Sequence, residues 1–415
     1  MFRKPLTKTN DPFPIKMFLI YVLFYAGQAM YNVYLNLFLN ENGFSNTQLG
    51  FLSSVSTLCL VLIQPLWGIM SDKAKSKNRI VGMLLIICAS VGLAFYLPQV
   101  AASAGVEFYG TKLAVWLSLC VVLFNVFFNP AVTLQDNYTL EMLENRRWDF
   151  GQLRLGGTIG YATCAALIGF IVGTSYDQIF WMMAIFMAIT GVLYFTQPTI
   201  AGHRKKKQKV KYSVLLKDRR LICMFLFNII YSLGTSFFFQ FFSIYYKNEL
   251  GASSVMVGLL STCAALVEIP FFWYAGRLQK RFGTKALMIF AGTTAALRWI
   301  LLSTLTDTTA ILIANMLGGC GFVGFSYSMI RYINDNVPKE MRATAQSLNG
   351  ILASFVSRII LTPVCGILAD YFSVNAVMMF NGVLMAVMVG AFIFTFSKAE
   401  AYHKVHPVLP TDTAE

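Results

Sequence analysis

The sequence predicts an all-α membrane protein, twelve transmembrane helices arranged as two pseudo-symmetric six-helix bundles. Three observations carry this. Hydrophobic residues make up 57% of the 415 and charged residues only 13%, against roughly 25% charged in a soluble domain, and the mean hydropathy is +0.61. Twelve apolar segments can be drawn, each long enough to cross a hydrocarbon core of roughly 30 Å. The chain also repeats itself. An ungapped offset of 208 residues lays Asn40-Glu41-Asn42-Gly43 on Asn248-Glu249-Leu250-Gly251, Leu49-Gly50-Phe51-Leu52-Ser53 on Val257-Gly258-Leu259-Leu260-Ser261, and Gly68 on Gly276. An offset near half the chain length marks a duplication, and two similar halves rocking about a central site can expose that site to either side in turn.

Span 1, Lys16 to Phe38, follows a basic, proline-bearing tail and holds Gln28, Asn32 and Asn36. It is too long and too polar for a cleavable signal, so it is expected to be retained. Span 2, Thr47 to Met70, ends at a basic cluster of Lys73, Lys75, Lys77 and Arg79, and span 3, Ile80 to Leu97, begins beyond it. Span 4, Leu113 to Tyr138, holds Asn125, Asn129 and Asp136. Arg146 and Arg147 separate it from span 5, Phe150 to Val172, which holds Arg154 and Tyr161; span 6 runs from Gln178 to Phe195. In the second half, span 7, Leu221 to Tyr246, contains Asn228 and the aromatic run Phe237-Phe238-Phe239-Gln240-Phe241-Phe242. Span 8, Ser253 to Ala275, holds Glu268; span 9, Ala286 to Leu305, holds Arg298; span 10 is Ala310 to Ile333; span 11, Ala343 to Ala369, holds Arg358; span 12 is Ala376 to Phe396. The expected organisation is a first bundle over 1–197, a basic linker over 198–217, a second bundle over 218–397 and a tail over 398–415.

The net charge of +14 would suit a nucleic-acid binder, but its distribution excludes one. Every second loop is basic, with Arg277, Lys280, Arg281 and Lys285 between spans 8 and 9 and the longest cluster, His203 to Lys211, between spans 6 and 7. By the positive-inside rule both termini and the linker are expected on the cytoplasmic side of a plasma membrane, the inner membrane of a bacterium. The linker reads as a solvated, topology-setting segment that can also meet anionic lipid. All eight cysteines lie in apolar spans without metal-ligand spacing and read as buried thiols. His203, His403 and His406 all lie outside the spans, so no histidine relay or histidine-based metal centre is expected at the midplane. No G-x-x-x-x-G-K motif occurs, which removes ATP as the usual energy source. No cofactor is expected, and a gradient must supply the energy.

The stretch Gly68-Ile69-Met70-Ser71-Asp72-Lys73, followed by Lys77 and Arg79, resembles the signature loop of the major facilitator superfamily. Gly276 to Lys285, with Arg277 and Arg281, is its weaker second copy, with Lys280 where the acid would be. The resemblance implies a gating role: Asp72 and the basic residues near helix ends would make charge-assisted contacts that break when one face opens. The plain alternative is a stop-transfer cluster.

A second resemblance lies in Pro130-Ala131-Val132 through Arg146-Arg147, Phe150-Gly151, Arg154 and Gly160-Tyr161-Ala162-Thr163-Cys164-Ala165. This stretch is similar to the oligosaccharide:proton symporters typified by lactose permease. In those, a carboxylate on span 4 and an arginine 18 residues later clasp sugar hydroxyls, and an aromatic follows 7 residues on; here the positions are Asp136, Arg154 and Tyr161. A carboxylate accepts and a guanidinium donates, so together they satisfy vicinal hydroxyls, while an aromatic face covers C–H surface. The family has glutamate and tryptophan where this chain has Asp136 and Tyr161. A simple ion pair between spans 4 and 5 is the alternative. Arg298 matches the family's span-9 arginine, but the span-10 histidine and glutamate are replaced within Gly318-Gly319-Cys320-Gly321, and the span-8 glutamate falls on Ala265, with Glu268 one turn later.

A carboxylate within an apolar span beside Pro270 is costly unless it faces a cavity, pairs, or takes up a proton. Glu268 is therefore the expected proton carrier, with Arg298 or Arg358 as its countercharge in one state and a static bridge to Arg358 as the alternative. Gln28, Asn32, Asn125, Asn129, Asn228 and Gln240 are cavity candidates, because amides inside spans need partners. Arg331-Tyr332-Ile333, Arg342-Ala343-Thr344-Ala345-Gln346 and Leu297-Arg298-Trp299 also resemble the phenylpropionate permeases and, more loosely, the nucleoside:proton symporters. The expected function is proton-coupled uptake of a small hydroxylated solute, a di- or oligosaccharide, with a nucleoside or aryl-carboxylate as the alternative and a non-transporting receptor or scaffold as the remote one. The expected partners are that solute, the coupling proton and membrane lipid; a monomer is expected, and no catalytic constellation is visible.

Overall fold

A segment surrounded by hydrocarbon must pair its backbone polar groups within itself, which a helix does and an isolated strand does not. The computed structural model describes residues 11–103, 105, 109–144, 146–172, 176, 178–201 and 215–405, and all regular structure among them is helical. The expected basic linker at His203 to Lys211 and the tail from His406 onward lie outside the described residues.

The first half contributes α1 (Ile15–Glu41), α2 (Asn46–Lys73), α3 (Lys77–Ala94), the short α4 (Leu97–Ser103), α5 (Thr111–Met142), α6 (Phe150–Val172) and α7 (Gln178–Phe195). The second contributes α8 (Arg219–Phe237), α9 (Ser254–Thr304), α10 (Thr308–Asn336), α11 (Lys339–Ala353), α12 (Thr362–Tyr371) and α13 (Val374–Val405). Wider π-helical turns follow α8, at Phe238–Phe242 and Tyr245–Glu249, and join α11 to α12 at Ser354–Leu361. Side chains at the first residues outside α8, α9 and α10 hold free backbone N–H groups of those helices: Asp218 accepts from Arg220, Ser253 from Met256 and Asp307 from Ala310.

Eleven helices among the described residues are long and apolar enough to cross a membrane, where the sequence predicts twelve spans. The difference lies in α9. Its 51 residues would reach about 76 Å if straight, far more than a bilayer core. Gly283 interrupts it with φ 80° and ψ 166°, a conformation that side chains with a Cβ disfavour. On one limb, Ala264 and Gly276 approach Gly319 and Tyr327 of α10 in rising order; on the other, Leu287, Thr294 and Arg298 approach Gly324, Gly321 and Gly318 in falling order. The limbs are therefore antiparallel and correspond to spans 8 and 9.

The chain divides into two compact units, Met1–Phe44 with Val55–Lys206, and Ser45–Ser54 with Lys207–Glu415. In the first, α1 packs on α6 and α7, and α3 packs on α7 and α5. A ladder of stacked rings, Tyr31–Phe124–Phe128–Phe24, with centroid separations of 4.2, 5.0 and 5.2 Å, fills the seam between α1 and α5. The α1–α6 contact is backbone to backbone. A Cβ at Gly156 would lie 2.8 Å from the Phe18 carbonyl oxygen, and one at Gly160 would be closer still to that of Val22. Small residues of this kind let spans approach where no hydrophobic force separates helix from lipid.

In the second unit α9 packs on α10 and α13, and α8 packs on α13 and on the π-helical turn. The first turns of α2 belong here, which the sequence did not announce. The Asn46 and Thr47 N–H groups donate to the Asp370 carboxylate at 3.0 and 2.7 Å. The Ser54 hydroxyl reaches the Arg358 and Ile359 carbonyls, which lie within the π-helical turn.

Replacing Gly160 even by alanine forces the two backbones apart. Gly160→Ala is expected to lower stability by about 1–3 kcal/mol, read as a lower melting temperature in detergent. An unchanged melting temperature would show that α1 yields freely at this contact.

Candidate functional site

In the first unit, Asp136 and Arg154 are brought to one place by α1. Tyr21, Tyr25, Gln28 and Asn32 recur at spacings of 4, 3 and 4, which places them along one stripe of that helix. The Tyr21 hydroxyl donates to Asp136 Oδ1 at 2.8 Å and to Thr139 Oγ1 at 3.1 Å. Tyr21 lies nearly parallel to Tyr25, with centroids 6.1 Å apart, and the Arg154 guanidinium lies 3.9 Å from the Tyr25 ring centroid. Gly157 makes the last contact possible: a Cβ there would stand 2.6 Å from both Arg154 Nη1 and Tyr25 Cδ2. Acid and base are therefore separated by a tyrosine pair and form no direct ion pair, although each lies within electrostatic reach of the other. Tyr161 is half-buried two turns along α6 on the face that carries Arg154. Gln28 is half-buried and its Oε1 has no hydrogen-bond partner among the described residues; Asn32 is half-buried on the same stripe. Arg154 lies about 6 Å from the start of α6 and Asp136 about 9 Å from the end of α5, at 1.5 Å per residue, so the cluster sits toward the basic-loop end.

In the second unit, Arg298 donates from Nε and Nη2 to Asn315 Oδ1 at 3.0 and 2.7 Å, and Asn315 is itself held by the Leu260 carbonyl at 2.9 Å. The guanidinium lies 4.3 Å from the Phe238 ring centroid and 5.0 Å from that of Trp299. Adjacent glycines of α10 make the room. Gly318 meets Arg298, where a Cβ would lie 3.0 Å from Nε, and Gly319 meets Ala264 and the Glu268 side chain. Glu268 is half-buried and pairs with neither Arg298 nor Arg358. The Arg358 side chain is exposed.

The signature-loop residues lie at helix ends. Asp72, Lys73 and Arg79 are exposed, and Gly68 has open space around it. In the second copy Gly276 packs toward Tyr327, while Arg277 and Arg281 are exposed and lie 5.5 and 5.3 Å from the rings of Tyr274 and Phe282. The firm charge contact at this end is Lys77 with Glu141, at 2.5 and 2.7 Å to the two carboxylate oxygens. The neighbouring Asn78 side chain donates to the Tyr194 and Gln197 carbonyls.

Several of the amide candidates are occupied by protein partners. Asn125 donates to the Tyr31 hydroxyl and Asn129 to Asn125; Asn228 binds Asn349 and accepts from Ser232; Gln240 donates to the Leu49 carbonyl. Sequence reasoning missed Tyr21 and Tyr25 as the bridge between Asp136 and Arg154, and Asn315 as the anchor of Arg298. The stripe spacing of the tyrosines with Gln28 was a usable signal. Nothing in the spacing distinguishes Asn315 from other span amides.

A duplicated bundle of spans that keeps ionisable side chains among amides and aromatic rings is the make-up of a secondary membrane transporter. The family described as the MFS_1 like family matches residues 15–380, and the chain belongs to it, within the major facilitator superfamily. The maltose permease of Geobacillus stearothermophilus is 25% identical over 89% of this chain and 90% of its own length. The sucrose permease of Escherichia coli is 23% identical over 94% of each. A crystal structure of a mutant of the nucleoside transporter NupG has the same fold, with a TM-score of 0.80 at 17% identity over 92% of this chain and 99% of that one. The protein is a multi-pass membrane transporter, not an enzyme.

Lys77 is 8% exposed at its side chain and Glu141 33%, so removing the carboxylate strands a nearly buried ammonium. Glu141→Gln is expected to cost about 2–3 kcal/mol, below the roughly 3–5 of a fully buried pair. The double variant Lys77→Met, Glu141→Leu should recover most of that loss, because an apolar pair needs no countercharge. Thermal unfolding of the three proteins checks it, and a double variant no more stable than Glu141→Gln would contradict it.

Proposed function

We propose that the protein takes up a small hydroxylated solute, a di- or oligosaccharide, together with protons, by alternating access across a plasma membrane with its basic loops on the cytoplasmic side. The observation that carries this reading is the Asp136–Tyr21–Tyr25–Arg154 cluster. It offers a half-buried acceptor and a half-buried donor within one unit, and the buried Gln28 carbonyl has no hydrogen-bond partner among the described residues further along the same stripe of α1. A ring hydroxyl both donates and accepts, so a carboxylate and a guanidinium that do not neutralise each other can serve neighbouring hydroxyls together. Tyr21 and Tyr25 are buried and hold the two charges in place, and the half-buried Tyr161 is the ring that would cover the C–H surface of a pyranose. The relatedness to maltose and sucrose permeases supports the same substrate class.

Glu268 is the proposed proton carrier. It makes no ion pair among the described residues, so gaining or losing a proton breaks no bridge there in this conformation, and Arg298 sits over the adjacent glycine as a countercharge for another. A carboxyl poised in this way can be neutral in one state and paired in the next.

Two measurements test the reading. Maltose or sucrose binding to purified protein, followed by calorimetry, should be saturable and should be lost in Asp136→Asn and Arg154→Gln while both variants keep their melting behaviour. Wild-type affinity in both would leave the cluster a structural feature of the first unit. Glu268→Gln mimics the protonated carboxyl, so it should exchange solute across equal concentrations yet fail to concentrate it. Accumulation at the wild-type level would move the proton to another group.

A further inference from the structure

Arg298 is a permanent charge whose protein partners are all neutral. Asn315 supplies one carbonyl oxygen, shared by Nε and Nη2, while Phe238 and Trp299 supply ring faces. Nη1 has no acceptor among the described residues. Beside the guanidinium lies a cavity between α8, α9, α10 and α13, bordered by Tyr231, Thr235, Trp299, Gly318 and Asn381, with room for about one water-sized sphere.

Among the described residues, donors outnumber acceptors in the free hydrogen-bonding capacity around this cavity. Asn381 is 3% exposed and its Nδ2 has no acceptor. The Thr235 hydroxyl is already spent on the Tyr231 carbonyl at 3.2 Å. The Tyr231 hydroxyl and the Trp299 indole N–H make no hydrogen bond among the described residues. A water molecule can accept two of these donors but leaves the guanidinium without a countercharge. Arg298 is half-buried, and a small anion satisfies its charge and the neighbouring donors together.

We propose that this cavity is an anion subsite that takes one halide ion or one carboxylate group, held by Arg298 and Asn381. Its size excludes bulky anions. The side chain of Glu268 does not fill it, since that residue packs over Gly319 while Arg298 packs over Gly318. The subsite is independent of the sugar reading: it lies wholly in the second unit and uses none of the residues of the Asp136–Arg154 cluster.

The anion has two possible sources, free chloride or the carboxylate of a transported acid, and one experiment separates them. Purified protein with sulfate as the sole anion is titrated with chloride or with formate at constant ionic strength, and the melting temperature is followed, because a ligand of the folded state raises it. A saturable rise with chloride identifies the inorganic source, and a rise with formate alone identifies the carboxylate. In either case Arg298→Gln and, separately, Asn381→Leu should weaken the apparent affinity by roughly tenfold or more, the loss expected for a hydrogen bond to a charged group. Asn381→Leu retains the guanidinium and decides the matter if Arg298→Gln does not fold. No saturable rise with either anion, or an equal rise in the folded variants, would overturn the proposal.

Discussion

Hydrocarbon offers no water to a polar group, and the placement of charge in both units follows from that constraint. At the basic-loop ends, charges meet as ions: Lys77 with Glu141, and Arg220 with Asp218 at 2.9 Å. Deeper in the spans they do not. Asp136 is held by a phenol, Arg154 by a ring face, and Arg298 by an amide and two rings. Ion pairs fix a structure, because breaking one strands a charge. Neutral partners hold a charge in place and leave its opposite free to come and go. The residues proposed to meet the substrate, Asp136 and Arg154, are among those given neutral partners.

Glycine makes this possible. Gly157 lets Tyr25 reach Arg154, and the Gly318-Gly319 pair lets Arg298 and Glu268 approach α10 from the two limbs of α9. Those glycines stand where the resembled symporters have a histidine and a glutamate on span 10. In this chain the ionisable groups reach α10 from α9, and α10 supplies the space. That space gives Glu268 and Arg298 a joint setting although they form no bridge in this conformation.

The class of fold, the span positions and the cluster around Asp136 and Arg154 were legible in the sequence because each depends on local composition or on spacing along one or two helices. Asp136 and Arg154 come together since a short loop at Arg146-Arg147 turns span 4 back into span 5. The break at Gly283 was legible only as a basic loop, because a helix can run on through polar residues and one backbone conformation decides the turn. Two things were not legible. Tyr21 and Tyr25 intervene between acid and base, which depends on how closely Gly156 and Gly160 bring α1 to α6. The first turns of α2 dock on Asp370 and on carbonyls of the π-helical turn, which depends on backbone geometry that no side-chain pattern reports.

The account stands or falls on whether solute entry carries protons inward. Addition of maltose or sucrose to energy-depleted, lightly buffered vesicles containing the protein, with an external pH electrode, measures this directly. The account predicts a transient rise in external pH that follows solute entry and vanishes with a protonophore. Solute entry with no change in external pH would contradict it.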